Sequence, residues 1–363
     1  MLKKITILII LLLATGCYNY HELNDLAIVS AIGIDKIDNN YVVSLEVVNT
    51  QENNNTGYVI YEASGKTIEE AINNLAYTCP KEIYLSHLEV IIYGEKLAKE
   101  GIKDTLDYFA RNTDIRGDTV ICIAKDFNAK DILKTTMPLD KINSHSIYNL
   151  IKNSHNNLGK TTYITFEELL SDYLNNYKEI VVPTVTLKKN TSNRENIYDI
   201  KTSNTGIINK DKLVTFLKDN ETLGYNILTN NIKKMTIEYN CQNEYVGVFI
   251  NQVKTKITPI DSSNTNINID VKGDISKVNC DLDLSSNETI KLINKNISKK
   301  IKQIVVSTLQ KSQESHIDFI GIKDIYFKNN IKVNNIDNIN YHIKVNTNLF
   351  NKENSLKVVK DAK

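Results

Sequence analysis

The stretch "NINIDVKGDI", residues 266–275, alternates apolar and polar side chains. Ile267, Ile269 and Val271 therefore point to one side of an extended chain, which predicts a half-buried β-strand. The stretch that soon follows, residues 285–313, changes to apolar residues at every third or fourth position, which predicts a long amphipathic helix. Its expected buried stripe is Ile290, Ile293, Ile297, Ile301, Ile304 and Leu309. A strand followed by a helix of this length predicts sheets covered by helices, an α+β fold.

The same two periods recur on both sides of this stretch. Residues 41–50, 87–94 and 340–350 are rich in β-branched residues or alternate, which predicts strands, and residues 95–112 have helical spacing. We therefore predict an α+β protein of two to three modules. Each is mostly antiparallel or mixed β-sheet packed with helices, and the long helix lies in the C-terminal domain.

One polar segment divides this pattern. Residues 188–204, "KKNTSNRENIYDIKTSN", contain few aliphatic side chains and predict a linker. The predicted N-terminal α+β domain is 17–187, which could split so that a helical part from about 126 to 187 forms a second module. The predicted C-terminal α+β domain is 205–355. The strand at 179–187 contains Pro183, which indicates an edge strand or a bulge.

The first residues form a different kind of segment. Lys3 and Lys4 precede an apolar run that is shorter than the roughly 20 residues needed to span a bilayer. Small residues and then Cys17 follow in "LATGC". This pattern resembles the lipobox of a bacterial lipoprotein, so we predict a signal peptide at 1–16 and lipidation of Cys17. The alternative is an uncleaved N-terminal membrane helix in which Cys17 has no role.

Charge and cysteine content restrict the remaining choices. Lys plus Arg number 44 and Asp plus Glu number 43, which gives no electrostatic footprint for nucleic acid. The charges look interspersed, so we expect no polybasic patch that reinforces membrane contact. Cysteines 79, 122, 241 and 280 are far apart and contain no C-x-x-C pair, and we expect small buried hydrophobic residues rather than disulfides.

Three patterns suggest chemistry, and each lacks a required residue. "ASGKT" at 63–67 has Ile60 where a phosphate-binding loop needs glycine, so we read Gly65 and Thr67 as a helix entry. The calcium-like "DLDLSSNETIKL" begins at Asp281 but lacks the glycine and glutamate of a calcium loop. The six histidines have no zinc-binding spacing. We predict no catalytic residue, no metal site and no cofactor.

Several segments, in order, resemble one family. After the lipobox come "ELNDLA" (22–27) and "GID" (33–35), then "SGKTIEEAINNL", "SHLEVIIYGEKLAKEGI" and "HIDFIGI". These segments resemble the Ger(x)C lipoproteins, the C subunits of spore nutrient germinant receptors. The resemblance covers residues 17 to about 350. The chain departs from the family at Tyr18 and Asn19, at Ile320, where glycine is usual, and in having no Trp.

The resemblance implies a fold and a role. It implies a three-module α+β body tethered to the outer face of the spore inner membrane. It also implies assembly with a membrane-spanning B subunit and an A subunit, no enzymatic step, and a part in nutrient-triggered germination. The alternative is a solute-binding lipoprotein of a transporter, which the antiparallel-looking run at 232–275 disfavours. A cell-wall hydrolase ranks third because motifs for it are lacking.

Overall fold

The structure is a computed structural model that describes residues 23–351 apart from 50–56, 138, 191–197, 242–243, 281 and 334. Within these residues, thirteen strands form two β-sheets and nine α-helices cover them. The predicted α+β fold is confirmed, with mixed sheets and a long helix near the C-terminus. No described helix combines the length and the apolar character needed to cross a bilayer.

The first sheet contains nine strands, in the order β3-β2-β1-β5-β6-β7-β8-β9 with β4 paired to β1. Its middle strands β1, β5, β6 and β7 run parallel, and the strands on either side are antiparallel. The bounds are β1 Leu26–Ile37, β2 Asn40–Val48, β3 Tyr58–Gly65, β4 Glu82–Tyr84, β5 Val90–Gly94, β6 Val120–Ala124, β7 Ile180–Lys189, β8 Tyr198–Asn209 and β9 Lys212–Leu217.

Six helices accompany this sheet and contribute to two apolar cores. They are α1 Ile68–Asn74, α2 Glu95–Glu100, α3 Lys103–Arg111, α4 Ala129–Lys134, α5 Asn143–Leu158 and α6 Phe166–Leu174. The predicted helix at 95–112 is two helices. Gly101 has φ +136°, a conformation that ends α2 and that other residues rarely adopt.

The second sheet has the order β10-β11-β12-β13. Its strands are β10 Met235–Cys241, β11 Glu244–Pro259, β12 Asn264–Val278 and β13 Asn340–Asn351. The first three are antiparallel, whereas β13 runs parallel to β12 because α8 (Asn287–Ser315) and α9 (Ile322–Lys328) carry the chain back. The predicted stripe of α8 packs on this sheet, and α7 (Asp219–Leu228) packs beside α8.

The junction between the halves differs in detail from expectation. Of the predicted linker 188–204, residues 188–189 end β7 and residues 198–204 begin β8, which pairs antiparallel with β7. Pro183 lies in an interior strand, so the edge-strand alternative is wrong, and the register shift between Pro183 and Val185 is the expected bulge. The division of the chain into domains at this segment stays a prediction.

Of the four cysteines in the described residues, two are free thiols and two form a disulfide. Cys79 and Cys122 are buried and unpaired, as predicted. Cys241 and Cys280 form a disulfide, so the prediction for these two is wrong. Cys241 ends β10 and Cys280 follows β12, and the folding of the sheet brings their Cα atoms to 6.4 Å although 39 positions separate them. That distance is within the ordinary disulfide range.

Candidate functional site

The predicted lipidation site, Cys17, lies outside the described residues. The structure begins within the "ELNDLA" segment, with a short 3₁₀ turn at Leu23–Asp25 that leads directly into β1. Beyond Cys17, the sequence singles out the motifs around Asp35, Gly65 and Asp318. Their surroundings show whether they have structural or chemical roles.

Asp35, the last residue of "GID", caps a helix from a distant part of the chain. Its carboxylate accepts hydrogen bonds from the amides of Ala129 at 2.8 Å and Lys130 at 3.1 Å, the first residues of α4. Burial raises the pKa of Asp35, and these amide donors oppose the rise. A side chain at Gly94 would overlap the Asp35 carboxylate, so the glycine of the neighbouring "YGEK" segment makes room for this cap.

The "SGKT" segment is a helix entry, as predicted. Thr67 is the N-cap of α1 and accepts from the amide of Glu70 at 3.1 Å. The Glu70 carboxylate accepts from the amide of Lys66 at 2.6 Å. A Cβ on Gly65 would overlap the backbone at Ala71, so this glycine allows the strand to pass close to the helix.

Asp318, in "HIDFIGI", repeats the arrangement of Asp35 in the second half of the chain. Its carboxylate accepts from the amides of Gly321, Ile322 and Lys323 at the start of α9, at 2.6 to 3.0 Å. Gly321 has φ +82°, which favours glycine. Ile320, where the family usually has glycine, is buried beside it.

A second carboxylate lies next to Asp318. The amide of Glu179, just before β7, donates to the Asp318 carbonyl oxygen at 3.3 Å. Burial, and then the negative charge of Asp318, raise the pKa of Glu179 to about 7, while Lys323 opposes the rise. The backbones of Glu179 and Asp318 are thus joined where the two halves of the protein meet, and the charge of Asp318 acts on the Glu179 carboxyl group.

A cavity of about 680 Å³ opens near this junction. One wall consists of α5, α6 and residues 162–164 between them. The other consists of α7 with residues 319–320. Val181, Phe319 and Ile320 contribute buried apolar surface. The polar lining carries both charges, from Lys152, Lys178, Lys233, Glu167, Glu168 and Asp172.

Four polar side chains in the cavity are notable. The buried Thr162 hydroxyl has no hydrogen-bond partner among the described residues. Nδ1 of His155 donates to the Thr161 carbonyl oxygen at 3.1 Å, and burial lowers the His155 pKa. Lys178 forms an ion pair with Asp172 at 2.7 Å, while burial raises the Asp172 pKa. The cavity is therefore suited to a small polar molecule with both donors and acceptors.

The calcium-like segment serves as a helix entry in the residues that can be described. Asp281 lies outside them. Asp283 accepts from the amide and hydroxyl of Ser285, and Ser286 is the N-cap of α8. Across the described ranges, no three His, Cys, Asp or Glu side chains are grouped so that they could hold a metal ion.

Helix α8 carries a concentration of positive charge that the apolar periodicity of its sequence does not reveal. Six lysines and no acidic residue lie between Glu288 and Glu314. Lys291, Lys295, Lys299 and Lys302 are exposed along one side of the helix, and we call them the lysine row. The expectation that the charges are interspersed is wrong for α8, because the near-neutral total conceals a local excess that only helical spacing reveals.

Comparison with known proteins gives matches over both halves. The "Spore germination protein N-terminal domain" family matches residues 19–187, and the "Spore germination B3/ GerAC like, C-terminal" family matches residues 203–352. Spore germination protein KC of Bacillus subtilis (strain 168) is 27% identical, over 90% of this chain and 88% of the relative. Spore germination protein GerQC of Bacillus cereus is 21% identical, over 90% of each.

A solved structure has the same fold. The crystal structure of the GerBC protein matches with a TM-score of 0.55 at 17% identity, and the match covers 88% of this chain and 97% of that one. The ordered motifs, the two family matches and this shared fold agree along nearly the whole length. The chain belongs to the Ger(x)C family of spore germination proteins.

Proposed function

We propose that this protein is a non-enzymatic, lipid-anchored subunit of a spore nutrient germinant receptor, required for germination triggered by that nutrient. The observation that supports this proposal best is the match of both halves of the chain, in order, to spore germination families. The sequence motifs agree, since Asp35, Thr67 and Asp318 cap helices instead of forming a catalytic group.

The tether gives the proposal its physical basis. Cleavage after residue 16 and acylation of Cys17 would hold the body at the outer face of the spore inner membrane. Each buried methylene of an acyl chain contributes about 0.8 kcal/mol, and two chains suffice for stable anchoring. Anchoring raises the local concentration of the body near membrane proteins, so modest contacts with the A and B subunits would be sufficient for assembly.

Deletion and complementation test this proposal. Spores that lack the protein should fail to germinate with the nutrient that the receptor senses, and the wild-type gene should restore germination. Cys17→Ala should restore it poorly, whereas Cys79→Ala, a cysteine outside the lipobox, should restore it well wherever the protein accumulates normally. Normal germination of the deletion strain would remove the receptor role, and full rescue by Cys17→Ala would remove the tether.

Capture of a solute for a transporter is the second candidate. The cavity favours it, since the Thr162 hydroxyl there has no hydrogen-bond partner in the described part of the chain. Against it, β10, β11 and β12 form the antiparallel sheet that the sequence predicts, unlike the two parallel-sheet lobes of a typical solute binder. The deletion strain separates the two roles, since a transporter component would alter solute uptake and leave germination intact.

A further inference from the structure

The lysine row belongs to a larger surface. A groove of about 640 Å³ separates α8 from the edge strand β13. Its lining includes Leu292, Lys295, Lys299 and Lys302 of α8 and Ile343 and Val345 of β13. The two elements are fixed against each other, because the Thr347 hydroxyl donates to the Asn294 carbonyl oxygen at 2.8 Å and lies 3.0 Å from the Ser298 hydroxyl.

The row has the geometry of a continuous cationic stripe. Turning by 100° per residue, its four lysines fall within about 80° of the helix circumference and extend over roughly 16 Å. In the described part of the chain none of them forms an ion pair with a carboxylate. Lys291, Lys295 and Lys299 follow one another at intervals of four, a spacing at which like charges repel. The positive charge of the lysine row therefore does not stabilise the helix itself.

An exposed apolar side chain lies among these lysines. Leu292 is 49% exposed, and Ile343 and Val345 line the groove close to it. Lysines around exposed aliphatic groups are typical of helices that lie at a membrane surface.

We propose that the α8–β13 face, with the lysine row and Leu292, binds the anionic phospholipid headgroups of a bilayer and orients the body on it. The inference depends on the proposed tether only for the nearness of that bilayer. A tether alone leaves the body free to rotate. A second contact through α8 fixes which faces remain open to partner proteins.

Vesicle binding tests the surface without the tether. The mature chain, residues 17–363, carrying Cys17→Ala is mixed with vesicles of phosphatidylcholine alone or with equal parts of phosphatidylglycerol. Lys295→Gln/Lys299→Gln/Lys302→Gln should weaken binding to the anionic vesicles about 100-fold, since each lysine near an anionic surface contributes about fivefold. The matched control, Lys254→Gln/Lys256→Gln/Lys272→Gln, removes equal charge from the opposite face of the second sheet and should stay within about twofold of the parent.

A fluorescent reporter locates the contact. The chain has no Trp, so Leu292→Trp introduces a single indole. Its emission should shift to shorter wavelength with anionic vesicles, whereas that of Asn268→Trp, exposed on the opposite face of the sheet, should not. Circular dichroism confirms that every variant is folded.

Two outcomes would overturn the proposal. One is equal anionic-vesicle binding by the row variant and its parent. The other is retention of polyglutamate by the lysine row without any binding to vesicles, which would assign the surface to an acidic protein. Because the acyl chain is absent here, either result leaves the proposed receptor role to be decided by the Cys17→Ala germination test.

Discussion

Asp35 and Asp318 have the same structural role in different halves of the molecule. Each is a buried carboxylate that accepts backbone amide hydrogen bonds at the start of a short helix, α4 or α9. Burial raises the pKa of both, and the amide donors oppose the rise. Both lie in segments that resemble the family, and in this structure both carboxylates fix the start of a helix.

Glu179 should make the stability of the protein depend on pH. Its pKa in the folded chain is raised to about 7, above the value of about 4.3 expected when unfolded. Folding therefore favours the protonated form of Glu179. The free energy of unfolding falls as this group ionises, while the pH rises from about 4.3 through about 7. Glu179→Gln should remove this loss and increase the free energy of unfolding above pH 7 by about 1 kcal/mol, after allowance for partial exposure.

Thermal denaturation from pH 4 to 8 checks this expectation. The Tm of Glu179→Gln should change less with pH than that of the wild type, with the largest difference at the alkaline end. Glu167→Gln, an exposed glutamate on α6, is the control and should reproduce the wild-type profile. If Glu179→Gln also reproduces that profile, the side chain is solvated and the pair with Asp318 has no effect on stability.

Among the elements, α7 and α8 make an unusually close contact. A Cβ placed on Gly224 of α7 would overlap the Thr308 hydroxyl of α8, which lies 3.2 Å from the Glu221 carbonyl oxygen. Alanine is favoured over glycine in a helix by about 1 kcal/mol. Here, however, overpacking should dominate, and Gly224→Ala should destabilise the protein by about 1 to 3 kcal/mol in urea denaturation.

A double variant separates crowding from helix propensity. Thr308→Ala removes the hydroxyl that the new methyl group would meet, so Gly224→Ala/Thr308→Ala should be less destabilised than the sum of the two single variants. An increase in stability in Gly224→Ala alone would show that the two helices move apart without cost.

The disulfide stabilises the second sheet. Cys241 and Cys280 close a loop across a separation of 39 residues, for which chain entropy predicts a contribution of about 3 to 4 kcal/mol. Cys241→Ser/Cys280→Ser should lower the free energy of unfolding by about that amount. Dithiothreitol should lower the Tm of the wild type but not that of the double variant. An equal response of both proteins to the reductant would mean that the two thiols are not joined in solution.

Sequence periodicity reveals what an element is but not what it pairs with. The alternation at Ile267 and the stripe through Ile297 predict β12 and α8 correctly. The same alternation in β13 is compatible with either strand direction, and its parallel pairing follows from the return of the chain through α8 and α9. Likewise, Cys241 and Cys280 carry no local signal. The predicted signal peptide is the one clue, because disulfides form mainly in proteins that leave the cytoplasm.

At the scale of the whole molecule, the sequence reveals the family but not the cavity. The family motifs are continuous segments that can be recognised one at a time. The cavity takes Lys152 from α5, Glu168 from α6, Tyr225 from α7 and Phe319 from the loop before α9. No one segment is distinctive, so the site exists only after both halves have folded against each other. The lysine row is intermediate, because helical spacing alone would have revealed it.

The continuation of the first sheet into β8 and β9 determines how the protein can be dissected. Each of the last three strands contributes one buried side chain to the core of the second half. These are Val181 of β7, Ile207 of β8 and Leu217 of β9. A fragment cut at the end of the first family match would leave β7 as a bare edge, open to pairing with other copies and hence to aggregation. Recombinant halves should therefore be divided after Leu217, and even then each would expose apolar surface that the intact chain covers.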